Sequence, residues 1–241
     1  MKGEALMSKS LFSKGLRHGI PIALGYMGVS FAFGMKAVVD GLSPMQAVLI
    51  SMLNVTSAGQ LAALPQMLAL ASLLEVALTQ LIINMRYALM SLSLSQKLDR
   101  SFTISHRMAV SFVNTDEVFA VASAQPGSVS PSYIYGLILL PYVGWVLGTL
   151  FGAVAGTMLP DSLRSALGIA IYAMFIAIVL PPSRVSKQIR IVVLLTIAVR
   201  LCFVFLPFLK QMSGGLQVVV CAVAAAGVGA ILFPREAEVN E

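Results

Sequence analysis

Charged residues are scarce in this sequence. Asp, Glu, Lys and Arg make up 11% of the 241 residues, against about 25% in an average soluble protein. Hydrophobic residues make up 58%, and apolar runs of about twenty residues, long enough to cross a bilayer, recur from end to end. The short alternating segments of a membrane β-barrel are missing. The sequence therefore predicts an all-α polytopic membrane protein, because helices satisfy their own backbone hydrogen bonds in lipid.

Motifs for common enzyme chemistry are also missing. The sequence has neither an HExxH zinc motif nor a GxxxxGK[ST] phosphate loop. His18 and His106 adjoin basic connectors, and Cys202 and Cys221 lie inside apolar runs as expected for packing residues rather than a disulfide. The net charge of +6 lies mostly in short connectors, where it sets membrane topology. We therefore expect no enzymatic activity, no cofactor, no metal and no nucleic-acid partner.

Eight apolar segments follow a basic N-terminal stretch. We expect residues 1–19 to form a cytoplasmic segment, residues 20–233 a single transmembrane helical domain, and residues 234–241 a polar tail. Pro and Gly mark several joints between the segments. The predicted segments are Ile20–Val39, Met45–Leu70, Leu73–Leu94, Met108–Ala124, Ser132–Leu159, Leu163–Leu180, Gln188–Leu209 and Gly215–Phe233.

Basic residues in one of two connectors conflict with eight simple crossings. From a cytoplasmic N-terminus, such crossings place residues 97–107 outside and residues 184–190 inside, whereas the positive-inside rule expects both inside. The conflict disappears if Met45–Leu70 and Leu163–Leu180 are broken, re-entrant segments that return to the side they entered. We expect the first of them to break at Thr56–Gln60. The prediction is therefore about seven to eight helical segments, some of them broken or re-entrant.

Two short sequence patterns bear on how the segments are arranged. Tyr26-Met27-Gly28 and Tyr142-Val143-Gly144, each followed by a Pro at the same distance, favour an inverted repeat of three crossings per half. Gly144, Gly148, Gly152 and Gly156 recur every fourth residue and predict close contact with another helix. That helix belongs either to this chain or to another subunit.

Asp116 and Glu117 stand at the centre of Met108–Ala124. As one helix this segment is roughly 25 Å long, short for a membrane core of about 30 Å, which puts both acids near mid-depth. A charge there costs at least about 2.5 to 3.5 kcal/mol. Neighbouring helical residues point about 100° apart, so the two acids have different partners. Each is either a substrate or proton site or half of a structural ion pair, and Asp116 is favoured for the first role.

Candidate partners for these acids lie on two other segments. Arg86 is deep in Leu73–Leu94, with Asn84 beside it and Glu75 three turns earlier on the same face, and Arg200 is central in Gln188–Leu209. Such charges either neutralise one another or hold a zwitterion, with the Arg fork on its carboxylate and an acid on its ammonium. We interpret Asp116, Glu117, Arg200 and Glu75 as proton-coupling or ion-pair residues.

Ser57-Ala58-Gly59-Gln60 is a small, polar stretch inside an apolar run. It is either a packing notch with one hydrogen-bonded Gln or an unwound stretch that offers polar groups to a substrate.

Several stretches together resemble the AzlC family, the large subunit of branched-chain amino acid exporters. They are GYMGVSFAFG at 25–34, TSAGQ at 56–60, NMRY at 84–87 and TDEVFA at 115–120. The resemblance implies a bacterial inner-membrane, multi-pass protein that exports valine, leucine or isoleucine. It also implies a small membrane partner of the AzlD type.

The leading hypothesis is export of branched-chain or similar apolar amino acids, coupled to an ion gradient. Arg86 would bind the substrate carboxylate, Asp116 its ammonium, and Asn84, Ser57 and Gln60 would complete the site. The alternative hypothesis is a non-transporting scaffold subunit that supports the small partner, since the glycine pattern and self-neutralising charges suffice for that role. An intramembrane enzyme is the third alternative.

Overall fold

The structure, a computed structural model, describes residues 2–158, 160, 162, 176 and 179–233. The helices are α1 (Lys2–Val39), α2 (Pro44–Leu53), α3 (Ser57–Leu68), α4 (Leu73–Ser95), α5 (Ile104–Phe112), α6 (Asp116–Ser123), α7 (Pro131–Met158), α8 (Lys187–Phe205) and α9 (Gly214–Leu232), with a 3-10 turn at Leu209–Gln211. Residues 179–185 are helical as well.

Five of the described helices are long and apolar enough to cross a membrane: Ser8–Val39 within α1, and α4, α7, α8 and α9. This confirms the all-α polytopic class for the described part of the chain. The count of seven to eight segments is not confirmed. The predicted segment Leu163–Leu180 lies almost wholly outside the described residues, and the predicted tail at 234–241 lies entirely outside them. The first helix begins at Lys2 and continues through Pro21, so residue 20 is not a helix start.

The chain divides into two compact units, Met1–Leu61 with Asn84–Ile171 and Ala62–Ile83 with Tyr172–Glu241. α3 and α4 each contribute residues to both units. The sequence contained no sign of this division.

α1 and α7 form the framework of the first unit and run parallel to each other. Close backbone approaches pair the residues in increasing order: a Cβ on Gly144 would meet Ala23, one on Gly148 would meet Met27, and one on Gly152 would lie 1.9 Å from the carbonyl oxygen of Phe31. These positions need glycine because the partner backbone fills the space that a side chain requires. The predicted close contact is therefore confirmed, and the partner helix is α1 of the same chain.

This parallel arrangement bears on the predicted inverted repeat, which is not confirmed. Inverted halves would place Tyr26–Gly28 of α1 and Tyr142–Gly144 of α7 on antiparallel helices, whereas α1 and α7 run parallel. The prediction counted Met108–Ala124 as one full crossing between them. In the structure that segment is broken and does not cross, so α7 runs in the opposite direction to the one that the prediction gave it.

The α2–α3 segment enters from the C-terminal end of α1 and turns back halfway. Ser43 caps α2 in a capping box with Gln46, and Pro44 occupies the first turn. At the break, Gln60 Nε2 donates to Ser51 Oγ at 2.9 Å, although nine residues separate them, about 14 Å along a straight helix. The predicted break is confirmed, but it falls at residues 54–56 rather than 56–60, because residues 57–60 form the first turn of α3.

The α5–α6 segment enters from the opposite end. His106 of α5 lies 2.8 Å from the hydroxyl of Tyr135 near the start of α7, and Gln125, just after α6, lies 3.5 Å from His18 of α1. α5 thus runs along α7, the helix is interrupted at residues 113–115, and α6 leads back toward the end from which α5 entered. The prediction of one continuous helix over Met108–Ala124 is wrong.

The second unit contains the α8 and α9 pair. Ser186 and Ser213 cap the two helices by accepting hydrogen bonds from Ile189 N and Leu216 N.

Candidate functional site

The two helix breaks lie at the same level, halfway along α1 and α7. Tyr26 of α1 and Trp145 of α7 stack edge to face with ring centres 5.3 Å apart. Trp145 Nε1 donates to the carbonyl oxygen of Asn54 in the first break at 3.3 Å. The hydroxyl of Tyr26 lies within hydrogen-bonding distance of Thr115 Oγ1 in the second break. This places the acids midway along the framework helices, at the start of the second half of an interrupted segment.

A cavity of about 200 Å³ lies between the two breaks. Thr56, Asn84, Asn114 and Thr115 supply polar groups to its wall, and Leu53, Val55 and Phe112 supply apolar ones. Asn54, Tyr87 and Ser111 complete the lining. Binding sites for drug-sized ligands have volumes of roughly 300 to 1,000 Å³. This cavity is smaller, so it suits a small ligand with both a polar and an apolar part.

Arg86 and Asp116 form an ion pair beside this cavity. Arg86 Nη1 donates to Asp116 Oδ2, and Arg86 Nη2 donates to the hydroxyl of Tyr87 at 3.1 Å. The guanidinium also lies 4.8 Å from the centre of the Tyr87 ring, within cation–π range. Tyr87 itself lines the cavity, so the pair is one residue removed from its wall.

Glu117 has a different partner. Its Oε2 accepts a hydrogen bond from the hydroxyl of Tyr26 at 2.6 Å, and Tyr26 is buried. The prediction that the two acids have separate partners is therefore confirmed: Asp116 pairs with Arg86, and Glu117 with Tyr26. Both acids stand in the first turn of α6, where the helix dipole favours negative charge.

Two amide side chains form hydrogen bonds between α4 and the breaks. Asn84 Oδ1 accepts from Thr56 Oγ1 at 3.1 Å, and Asn114 Nδ2 donates to Ser91 Oγ at 2.9 Å. Of the five predicted substrate residues, Asn84 lines the cavity.

Gln60 belongs to a buried polar chain behind the first break. Its Nε2 bonds to Ser51 Oγ, which lies 2.7 Å from Thr149 Oγ1, and Thr149 in turn donates to the carbonyl oxygen of Trp145 at 3.1 Å. Ser57 is half-buried in the first turn of α3. The predicted residues Ser57 and Gln60 therefore lie at the break without lining the cavity.

Glu75 and Arg200 belong to the second unit. Glu75 Oε1 accepts a hydrogen bond from the backbone N–H of Gly215 at 3.1 Å, and Arg200 Nη1 donates to Gln217 Oε1. Among the residues that the structure describes, the ion pairs are Arg86–Asp116 and Lys36–Asp40.

Sequence reasoning left Tyr26, Thr56, Asn114 and Thr115 out of the site. A signal for the two threonines was present: Thr115 followed by two acids has the composition of a helix N-terminus. Thr56 stands in the same position before α3, where its Oγ1 accepts from Gly59 N at 3.4 Å.

These features define the class: a multi-pass helical membrane protein with two discontinuous segments meeting at a polar cavity. The AzlC protein family profile matches residues 21–159, which include every residue placed around the cavity. The chain belongs to the AzlC family, and the predicted resemblance is confirmed.

Relatives in other organisms are also membrane proteins. The chain is 36% identical over 182 residues to an uncharacterized membrane protein of Archaeoglobus fulgidus, covering 74% of this chain and 78% of that one. It is 31% identical over 176 residues to the inner membrane protein YgaZ of Escherichia coli, covering 70% and 72%. It is 30% identical over 150 residues to an uncharacterized membrane protein of Helicobacter pylori, covering 61% and 64%. No solved structure gives a significant match.

Proposed function

We propose that the protein exports branched-chain or similar apolar amino acids across the bacterial inner membrane, driven by an ion gradient. The observation that carries the proposal is the cavity between two interrupted helices. Irregular backbone is tolerated at membrane depth where it lines a cavity, and transporters use such breaks to bind their substrates.

The cavity and its neighbouring ion pair match the chemistry of an apolar amino acid. Arg86 would bind the substrate's carboxylate and Asp116 its ammonium. The two charged groups of the substrate would then replace the ion pair that Arg86 and Asp116 now form with each other. Asn84 and Thr56 would complete the polar part. Leu53, Val55 and Phe112 would enclose the aliphatic side chain.

The remaining predicted residues take supporting roles in this proposal. Ser57 and Gln60 would hold the first break in shape, and Glu117, hydrogen-bonded to Tyr26, would carry the coupling proton or fix α6. Glu75 and Arg200, in the second unit, stay candidates for coupling. The proposed partner is a small membrane subunit of the AzlD type.

The test is transport by purified protein in lipid vesicles. Labelled valine should cross the vesicle membrane when a pH gradient is imposed and accumulate less when it is not. Leucine and isoleucine should compete with valine, whereas lysine and glutamate should not. Vesicles with and without the small subunit would show whether that partner is required. Absence of amino acid movement with the subunit present would reject the exporter.

A second candidate function is a non-transporting scaffold, which the ready-formed Arg86–Asp116 pair favours. Opposite charges that neutralise each other can often be replaced together by apolar residues without loss of stability. A scaffold would therefore keep its function when Arg86 and Asp116 are both replaced by Leu, whereas an exporter would lose transport.

A further inference from the structure

A groove runs between the last turns of α4 and residues 107–111 of α5. Its volume is about 440 Å³. Ser95, Leu98 and Arg107 line its outer end, close to the connector between the two helices. Its walls are mainly apolar and consist of Ala88, Leu92, Leu94, Met108 and Val110, with Ser91 as a polar member.

The inner end of the groove borders the cavity between the helix breaks. Ser111 and Asn114 line both spaces, so these two side chains form a common wall. The groove therefore extends from the connector end of the first unit to the wall of the proposed substrate site.

Asn114 stands at this junction with an unused hydrogen-bond acceptor. The residue is 4% exposed, and its Nδ2 donates to Ser91. Its Oδ1 is buried without a partner within the described part of the chain. Leaving such an oxygen unpaired is costly in a folded protein, and its position at a cavity wall allows a ligand to supply the missing donor.

We propose that this groove is the path by which the substrate reaches the cavity, and that Asn114 Oδ1 accepts a hydrogen bond from the substrate's ammonium at the inner end. The inference rests on the proposed function and adds an entry route and a binding residue to it. The apolar walls would accommodate an aliphatic side chain. Arg107, exposed at the outer end, attracts a carboxylate.

Cysteine labelling tests the path. In a protein whose own Cys202 and Cys221 are replaced by Ser, Ser95→Cys and Ser111→Cys introduce a thiol into the groove, and Ser93→Cys places one on the exposed side of α4 as a matched control. Modification with a small methanethiosulfonate reagent should reduce valine transport at least about tenfold for both groove variants and leave the Ser93→Cys variant unchanged. Saturating valine should slow the labelling of the Ser111→Cys variant, whether or not it also slows that of the Ser95→Cys variant. It should not slow the labelling of the Ser93→Cys variant.

A second measurement tests Asn114. 3-Methylbutanoate has the carbon skeleton of valine without the ammonium, so it should protect Ser111→Cys much less than valine does. Adding Asn114→Leu should lower valine protection about tenfold, the effect of one hydrogen bond of about 1.4 kcal/mol. Asn114→Asp retains an acceptor and should keep more of it. Asn114→Leu should leave protection by 3-methylbutanoate unchanged, because that ligand has no ammonium to donate, whereas a merely structural role for Asn114 would weaken protection by both ligands alike.

The outcomes separate this inference from the proposed function. Valine transport by the cysteine-free protein, together with groove thiols that behave like the one at position 93, overturns the path alone. An Asn114→Leu substitution that lowers protection by valine and by 3-methylbutanoate equally, or lowers neither, overturns the role of Asn114. A cysteine-free protein that moves no amino acid, when the native protein moves none either, overturns the exporter and the path together.

Discussion

Asp116→Asn removes the charge of the carboxylate that Arg86 contacts while keeping the size of the side chain. An asparagine at this position keeps an oxygen that accepts a hydrogen bond from Arg86, so the contact is weakened rather than removed. Hydrogen bonds to charged groups exceed neutral ones by about 1 to 1.5 kcal/mol. We therefore expect the free energy of unfolding to fall by no more than about 1.5 kcal/mol, which leaves the variant folded.

Transport should fall although the protein stays folded. If Asp116 binds the substrate ammonium, the substitution replaces a charge-assisted hydrogen bond with a weaker one that lacks the charge of the acceptor. The difference of about 1 to 1.5 kcal/mol corresponds to a loss of roughly five- to twelvefold in transport at low valine concentration.

The assay is uptake of labelled valine by vesicles, with thermal unfolding in detergent measured on the same preparation. Asp40→Asn is a matched control, because Asp40 also pairs with a base, Lys36, at 2.8 Å and with exposures of 23% and 27%. That pair lies at the end of α1, away from the helix breaks. A folded Asp116→Asn protein that transports valine as fast as Asp40→Asn would refute the role assigned to Asp116.

Three further substitutions test the framework and the second acid. Tyr26→Phe should lower the free energy of unfolding by about 1 kcal/mol or more, because it removes a hydrogen bond to Glu117. The control Tyr142→Phe loses a hydrogen bond to a backbone carbonyl oxygen and should lower it less. Thermal unfolding in detergent compares the two variants, and equal shifts would contradict this prediction. Gly152→Ala should destabilise by about 1 to 3 kcal/mol because its Cβ would lie 1.9 Å from a backbone oxygen of α1, while Gly28→Ala meets open space and should be neutral or mildly stabilising in the same assay. Glu117→Gln should preserve valine exchange at equal pH and abolish accumulation driven by a pH gradient, and accumulation at the normal level would exclude Glu117 as the proton carrier.

The framework was largely predictable from sequence because its cause is local. Glycine at every fourth position leaves a strip of bare backbone on α7, and such a strip is stable only against another close helix. The identity of that helix was not predictable, since nothing in the glycine pattern distinguishes α1 from another subunit. The parallel direction was missed for a related reason: it depends on whether residues 113–115 continue a helix.

The helix breaks were only partly predictable. The break near Thr56 was expected because uncharged polar residues and Gly interrupt an apolar run. The break at Thr115 was missed because Met108–Ala124 has the length and hydropathy of a single, short crossing. Its shortness was itself a signal, since about 25 Å does not span a core of about 30 Å. Pairing Arg86 with Asp116 required the three-dimensional path, because the residues are 30 positions apart on segments whose relative direction depends on the same break.

The break also accounts for two carboxylates in an apolar segment. In the middle of a continuous helix, the backbone N–H groups are already bonded to carbonyl oxygens, and a charge at mid-membrane costs about 2.5 to 3.5 kcal/mol on insertion scales. At the start of α6 the first N–H groups lack helical partners and the dipole favours negative charge by about 0.3 to 1 kcal/mol. Asp116 also faces Arg86, and Glu117 accepts from Tyr26. The acids are tolerated because the helix begins there, and the same interruption opens the cavity beside them. A substitution that joined α5 to α6 would therefore remove the cavity and leave both acids without their stabilising environment.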